Sequence, residues 1–258
     1  MKLKNKRVLL TGGSSGIGYQ LSKKLLLEGN SLAVLARREV RLDKLTEEVK
    51  ELGGRLFTYQ CDVTDKDKVK DVIAEIFKAM GGIDIAVLNS GTGRPECIKS
   101  FNAENAEAVF NTNVLGMVNC VEALLPIFLE QKNGVIAGVS SLADNRGYSM
   151  SGFYCGSKAA VTIILESLSG ELKMHGIKVV TIKPGFVRSE MTARNNFKMP
   201  FLMDADKAAD IIIKGLKKEK RIIQFPLITI IGSKLIGLLP VRLFEYFEYK
   251  RLSKRINL

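Results

Sequence analysis

The stretch Val8-Leu9-Leu10-Thr11-Gly12-Gly13-Ser14-Ser15-Gly16-Ile17-Gly18 decides the fold of this chain. A short apolar run of strand character ends in a glycine-rich turn, and a segment with helical spacing, residues 17–28, begins at once. Glycines at such a turn let the backbone bend tightly and bring its N–H groups close to a ligand. The helix that follows adds unpaired donors and the positive end of its dipole at the same point. A pyrophosphate suits that chemistry, with Gly12, Ser14, Ser15, Gly16, Ile17 and Gly18 as the candidate contacts. The spacing is G-x-x-x-G-x-G and not the generic G-x-G-x-x-G, and glycine also closes strand-to-helix turns that hold no ligand.

Beyond this turn, apolar runs of strand length alternate with helix-period segments along all 258 residues. Strands are expected at 7–11, 31–36, 56–60, 83–89, 135–140, 178–182 and 221–225. Helices are expected at 17–28, 40–52, 66–80, 105–131, 154–175 and 206–218. The strand runs are rich in Val, Ile and Leu without polar alternation, as in strands covered on both faces. Strand, helix, strand in succession implies right-handed crossovers and a parallel sheet. The expected fold is therefore doubly wound α/β, a single domain of about seven strands, with ligands beyond the carboxyl ends of the strands. Its main body is expected over residues 1–225, followed by extra C-terminal helices in residues 226–258.

Cys61, Cys97, Cys120 and Cys155 are scattered, with no C-x-x-C pair and with His175 as the single histidine. Neither a disulfide framework nor a metal site is expected, and a reducing, cytoplasmic setting is. Residues 1–7 hold four cations and lead into an apolar run too short for a signal sequence. His175 is expected to make an ordinary dipole contact at a helix end, and Cys155 to be a small buried filler.

About twenty residues after the turn, the second strand ends in Ala36-Arg37-Arg38. A ribose with a free 2′-hydroxyl calls for an acid at this place, and a 2′-phosphate for an arginine. Arg37 and Arg38 thus point to NADP(H). One charge-assisted hydrogen bond of about 1.5–3 kcal/mol gives roughly a 10- to 100-fold preference. The competing reading is that the two arginines open a solvated helix together with Arg41 and Lys44.

Tyr154-Cys155-Gly156-Ser157-Lys158 opens another helix. Residues four apart share a helical face, so the phenol and the ammonium can lean over one site. A free phenol titrates at about 10. The ammonium, together with the positive ring of an oxidised nicotinamide, is expected to lower that value toward the range of a working general acid/base.

Taken in order, the glycine turn, Asp62-Val63, Asn89-Ser90-Gly91, Asn113, Ser141, Tyr154 with Lys158, and Pro184-Gly185 resemble the motif set of the classical short-chain dehydrogenase/reductase family, from residue 6 to about 192. The resemblance implies a Rossmann-type fold and hydride transfer between NADP(H) and a carbonyl carbon, with Tyr154 moving the proton on the oxygen. It implies that Ser141 holds the carbonyl, that Lys158 supports Tyr154, and that Asn113 holds a water relaying protons from Lys158. Asp62 and Val63 would flank the adenine, and Asn89 and Gly91 would border the cofactor. Tyr154, Lys158, Pro184, Gly185 and Val187 would surround the nicotinamide, with Ser189 bonding its carboxamide where the family often has threonine. The family pattern after strand four is usually Asn-Asn-Ala-Gly or Asn-Ala-Gly, so Asn89-Ser90-Gly91 departs from it by a small-for-small change. Family members are mostly dimers or tetramers built on the long helices, which implies a homodimer or homotetramer here.

Phe197, Met199, Pro200, Phe201, Leu202 and Met203 give residues 191–204 an apolar character that suggests a lipophilic carbonyl or alcohol substrate. Asp144, Asn145 and Arg146 lie between Ser141 and Tyr154 and are expected at the substrate mouth. The net charge is +12, and residues 214–258 hold eleven Lys/Arg against three Asp/Glu. No nucleic-acid reading module accompanies this surplus, and no nucleic-acid partner is expected. Residues 226–258 contain an apolar stretch bounded by Pro226 and Pro240, short for a membrane span of about 20 residues. They are expected to pack on the domain, on a partner subunit, or peripherally on a membrane surface. A non-catalytic NADPH-binding sensor of the same fold is the rival to a carbonyl reductase, and the intact set Asn113, Ser141, Tyr154 and Lys158 argues against it.

Overall fold

The computed structural model describes residues 1–93, 95–195 and 197–256. Seven parallel strands form one sheet in the order β3-β2-β1-β4-β5-β6-β7. They are β1 (Arg7–Thr11), β2 (Ser31–Ala36), β3 (Arg55–Gln60), β4 (Ile85–Leu88), β5 (Gly134–Val139), β6 (Ile177–Pro184) and β7 (Ile222–Phe225).

Helices cover both faces, so alternate residues of one strand enter different cores. Val8 and Leu10 of β1 pack with Leu21, Leu25 and Ile212 from α1 (Gly16–Leu27) and α8 (Ala205–Lys217), and α2 (Glu39–Val49) lies on the same side. Leu9 points the other way, into a core with Ile73, Leu124 and Leu165 of α3 (Lys66–Met80), α5 (Gly116–Gln131) and α6 (Gly152–Leu172). Local chemistry sets the helix ends. At α3, Asp65 accepts from the Lys68 N–H at 3.0 Å, and Gly81 closes the last turn with a left-handed φ of 69°.

The chain runs outward from β1 to β2 and β3, then returns to lay β4 against the other side of β1. The connections after β1 and β4 leave in opposite directions, and the crevice between them lies at the carboxyl ends of the strands.

Three elements differ from the expectations. The helix expected over 105–131 is divided into α4 (Ala103–Phe110), a π-turn (Asn111–Leu115) and α5. Side-chain periodicity does not register one extra residue in the helical ladder. The stretch Ala103–Gln131 is long and apolar enough to cross a membrane, yet half of its apolar window is buried inside the domain. The fourth strand, expected over 83–89, is shorter at both ends, and at its carboxyl end Asn89 leaves the ladder to bond with Thr11. A short α7 (Glu190–Ala193), capped reciprocally by Ser189 and Thr192, was not foreseen. After β7 come α9 (Leu227–Leu238) and α10 (Val241–Ile256). His175 is exposed in the final 3-10 turn after α6.

Candidate active site

The crevice floor is laced together by Thr11. Its Oγ1 accepts from the N–H groups of Asn89 and Ser90, each at 3.0 Å, while Asn89 Nδ2 donates to the carbonyls of Thr11 and Gly12, each at 3.1 Å. Gly12 and Gly16 adopt left-handed φ values of +66° and +53°, which side chains rarely tolerate. A Cβ on Gly18 would stand 2.2 Å from the Gly12 carbonyl oxygen, so this glycine serves the close approach of α1 to the turn. Gly18 itself is absent from the cleft wall, whereas Gly12, Ser14, Ser15, Gly16 and Ile17 form it. α1 begins with no side chain capping its first donors and no acid in its first turn. An anion at the start of α1 would therefore meet free N–H groups and no repelling charge from the helix itself.

The cleft has a volume of about 390 Å³ and runs along the strand ends. At one extremity stand Arg37 and Arg38, both largely exposed. Arg38 is 3.0 Å from Glu190, which Arg41 also pairs with, and Arg37 is 3.7 Å from Asp62. Exposed pairs of this kind are weak, so both guanidinium groups stay available to a phosphate. Asp62 lies off the cleft wall. Its Oδ1 accepts from the Thr64 N–H and hydroxyl at 3.0 Å, and its neighbours Cys61 and Val63 form the wall instead. Asn89, Gly91, Pro184, Gly185, Val187 and Ser189 line the middle of the cleft. Ser189 comes close enough to the glycine turn that a Cβ on Gly16 would be 3.2 Å from its own Cβ. Its hydroxyl accepts from the Thr192 N–H at 3.3 Å as the cap of α7. Thr92, Thr112, Met191 and Arg194 also line the cleft and were missed, since nothing in their local sequence marks them.

Tyr154 stands in the first turn of α6, hydrogen-bonded to Ser141 at the end of β5. Gly93 makes room for it: a Cβ there would lie 2.8 Å from the phenol ring. Lys158, one turn further along, is buried. Its Nζ donates to the Val139 carbonyl at 2.9 Å and sits 5.9 Å from the Tyr154 ring centroid. Burial pushes the Tyr154 phenol above its ordinary value, with the Ser141 hydrogen bond opposing. Burial likewise brings the Lys158 ammonium down to about 8. In the protein by itself the expected lowering of the phenol is thus reversed, because taking both groups out of water disfavours both charges.

Asn113 is also off the cleft wall, buried in the π-turn. Its Oδ1 accepts from the Thr92 N–H at 2.7 Å, and its Nδ2 donates to the Thr92 carbonyl and to Ser157 Oγ, each at 2.9 Å. Both amide donors are engaged in scaffolding. A water relay from Lys158 would have to use the second lone pair of Oδ1 or the main chain of the turn. Ser140, not foreseen, donates its hydroxyl to the Lys158 carbonyl at 2.8 Å and so ties β5 to α6.

A second cavity of about 730 Å³ adjoins the cleft at Ser141 and Tyr154. Leu142, Tyr148, Phe186, Met191, Phe197 and Phe201 make its walls mainly apolar. α9 contributes Ile228, Thr229, Gly232, Ser233 and Ile236, and α10 contributes Glu248 and Arg251. Thr229 Oγ1 is buried with no hydrogen-bond partner among the described residues. α9 and α10 therefore wall the site. The signal was present in α9 as small or polar residues at 229, 232 and 233 opposite large apolar ones at 227, 231, 235 and 238.

Asp144, Asn145 and Arg146 do not line this cavity, contrary to expectation; they anchor the loop that does. Asp144 is 2.7 Å from Lys183 and accepts from Thr162 Oγ1 at 2.5 Å. Asn145 Nδ2 donates to the Ser233 carbonyl at 2.6 Å. Arg146 donates to the carbonyls of Ile236, Gly237 and Leu239, and its guanidinium lies 5.2 Å from the Phe244 ring centroid. Cys155 is a free, buried thiol beside the cavity.

A crevice at the sheet's switch point, joined to a Ser-Tyr-Lys cluster and an apolar cavity, accords with the comparison with known proteins. The family model described as short chain dehydrogenase matches residues 6–199, and the chain belongs to this family of oxidoreductases. An uncharacterized oxidoreductase of Myxococcus xanthus is 35% identical over 237 residues, 92% of this chain and 94% of the relative. A 3-oxoacyl-[acyl-carrier-protein] reductase FabG of Thermotoga maritima is 32% identical over 194 residues, 75% and 79% of the two chains. Among solved structures, a short-chain dehydrogenase/reductase from Burkholderia phymatum in complex with NAD superposes with a TM-score of 0.84 at 20% identity, over 91% of this chain and 94% of its own. One from Burkholderia cenocepacia in complex with NADP gives 0.77 at 24% identity, over 87% and 96%. These two structures share the fold.

Proposed function

We propose that the protein reduces a lipophilic ketone to an alcohol with NADPH, or runs the reverse reaction. The observation that carries this reading is the meeting of Ser141, Tyr154 and Lys158 where the cleft along the strand ends opens into the large apolar cavity. The residues fit a dinucleotide: the left-handed glycines, the uncapped start of α1 and the paired arginines suit a pyrophosphate and a 2′-phosphate. Bound there, NADPH supplies the hydride.

The chain's own groups do the rest. Ser141 donates a hydrogen bond to the carbonyl oxygen and holds it beside the Tyr154 hydroxyl. Tyr154, kept protonated by burial, gives its proton to that oxygen as negative charge develops on it. Lys158, held by the Val139 carbonyl, places positive charge behind the phenolate that is left. The name of the Thermotoga maritima relative, a 3-oxoacyl reductase, supports carbonyl reduction as the reaction class. Exposed Leu115 and Ile163, near the start of α5 and on α6, support a homo-oligomer built on these helices. The four free cysteines suit a reducing, cytoplasmic setting.

The test is consumption of NADPH and NADH over a series of ketones graded in lipophilicity, with Tyr154→Phe as control. Turnover is expected to prefer NADPH and to fall at least about 100-fold in the variant, while NADPH binding persists. Binding of NADPH without turnover on any ketone would point to a sensor, and full activity in Tyr154→Phe would remove the assigned acid/base.

A further inference from the structure

α9 has two faces with different surroundings. Thr229, Gly232, Ser233 and Ile236 turn toward the cavity, while Leu227, Ile231, Leu235 and Leu238 lie on the other side, each more than half exposed. α10 adds Val241, Phe247 and Tyr249, each more than half exposed but on different sides of the helix. Single exposed apolar residues are ordinary, but four along one side of a helix mark an interaction surface. Cations accompany it: Lys234 is on the exposed side of α9, Arg242 opens α10, and Lys250 sits 4.6 Å from the Tyr246 ring centroid. Residues 226–258 hold six Lys/Arg against two Asp/Glu, and one of those acids, Glu248, is buried and paired with Arg251.

We propose that this face docks on an anionic phospholipid surface. Its apolar side chains enter the acyl boundary and its cations lie among the headgroups, with the long stem of Lys234 reaching outward. The 12 residues of α9 span about 18 Å, too little to cross a hydrocarbon core of about 30 Å. The helix therefore lies in the interface. Its inner face walls the cavity beside Tyr154, so docking brings that cavity against the lipid. Charge argues against a second copy of the chain as the occupant. A two-fold contact through this face would crowd the cations of both copies, Lys234 and Arg242 among them, into one patch. The docking surface does not depend on which carbonyl is reduced.

The test is co-sedimentation of the full chain with phosphatidylcholine vesicles with and without phosphatidylglycerol, alongside its mass in solution. Binding that requires phosphatidylglycerol and weakens with salt is expected. The Ile231→Glu/Leu235→Glu variant should bind at least about tenfold more weakly with unchanged NADPH binding. A second variant, Lys234→Glu/Arg242→Glu, leaves the apolar residues in place and should also lose the lipid. No sedimentation at low salt, undiminished binding by both variants, or a dimer that Ile231→Glu/Leu235→Glu dissociates in place of any vesicle binding would each overturn the proposal.

Discussion

Lys158 holds a buried amine at the cleft, with its Nζ on the Val139 carbonyl. Its folded value of about 8 lies below the ordinary 10.5, so between those two values the unfolded chain carries a proton that the folded chain has released. Stability must then rise with pH across that window, and below about pH 8 the burial of the charge is a standing cost on the order of 3 kcal/mol. Denaturant titrations of the parent and of Lys158→Met should show their stability difference shifting toward the parent by most of that amount between pH 8 and 10. A difference independent of pH would show that Lys158 titrates as an ordinary lysine. Arg37 permits a second test at the same scale. Arg37→Ala should lower kcat/KM for NADPH roughly 10- to 100-fold and leave NADH nearly unchanged, whereas equal losses would show that the guanidinium does not meet a 2′-phosphate. The Tyr154/Lys158 pair was legible because one helical turn separates its members. The tie of Asn113 to Thr92 and Ser157 was not, because those partners stand 21 and 44 residues away and nothing local announces them.

Among elements, the loop between β5 and α6 and the helix α9 behave as one unit. Arg146 gathers carbonyls at the carboxyl end of α9, where a cation also suits the helix dipole. Asn145 and Ser233 join the same two segments, since Ser233 Oγ donates to the Leu142 carbonyl at 2.9 Å and accepts from Asn145 Nδ2 at 2.9 Å. The cavity wall formed by α9 is therefore held from the catalytic side. Arg146→Ala should raise KM for a bulky ketone several-fold and reduce stability by about 1–3 kcal/mol, with NADPH affinity preserved. Steady-state kinetics and ligand-binding titrations check this, and an unchanged KM would show that α9 stays in place without the clamp. Strand and helix assignments survived from sequence to structure wherever a continuous apolar run or a 3.6 period was unbroken, as in β2 and α3. They failed at the π-turn, where one residue is inserted without disturbing the apolar pattern on either side.

For the whole molecule, local chemistry was sufficient for the parallel sheet covered on both faces, for the glycine turn at its first strand, and for the Tyr154/Lys158 pair. Apolar periodicity, glycine spacing and helical phase act within a few residues, and they survive in a bare sequence. Tertiary structure alone decided the strand order, the withdrawal of Gly18, Asp62 and Asn113 from the cleft wall, and the upward shift of the Tyr154 phenol. It also turned α9 and α10 from an added segment into a wall of the cavity. These outcomes depend on which distant segments exclude water from a group and which carbonyls come within reach of a donor. Arg146 meets the carbonyl of Gly237 across 91 residues of chain, and desolvation exists only once such segments have closed together.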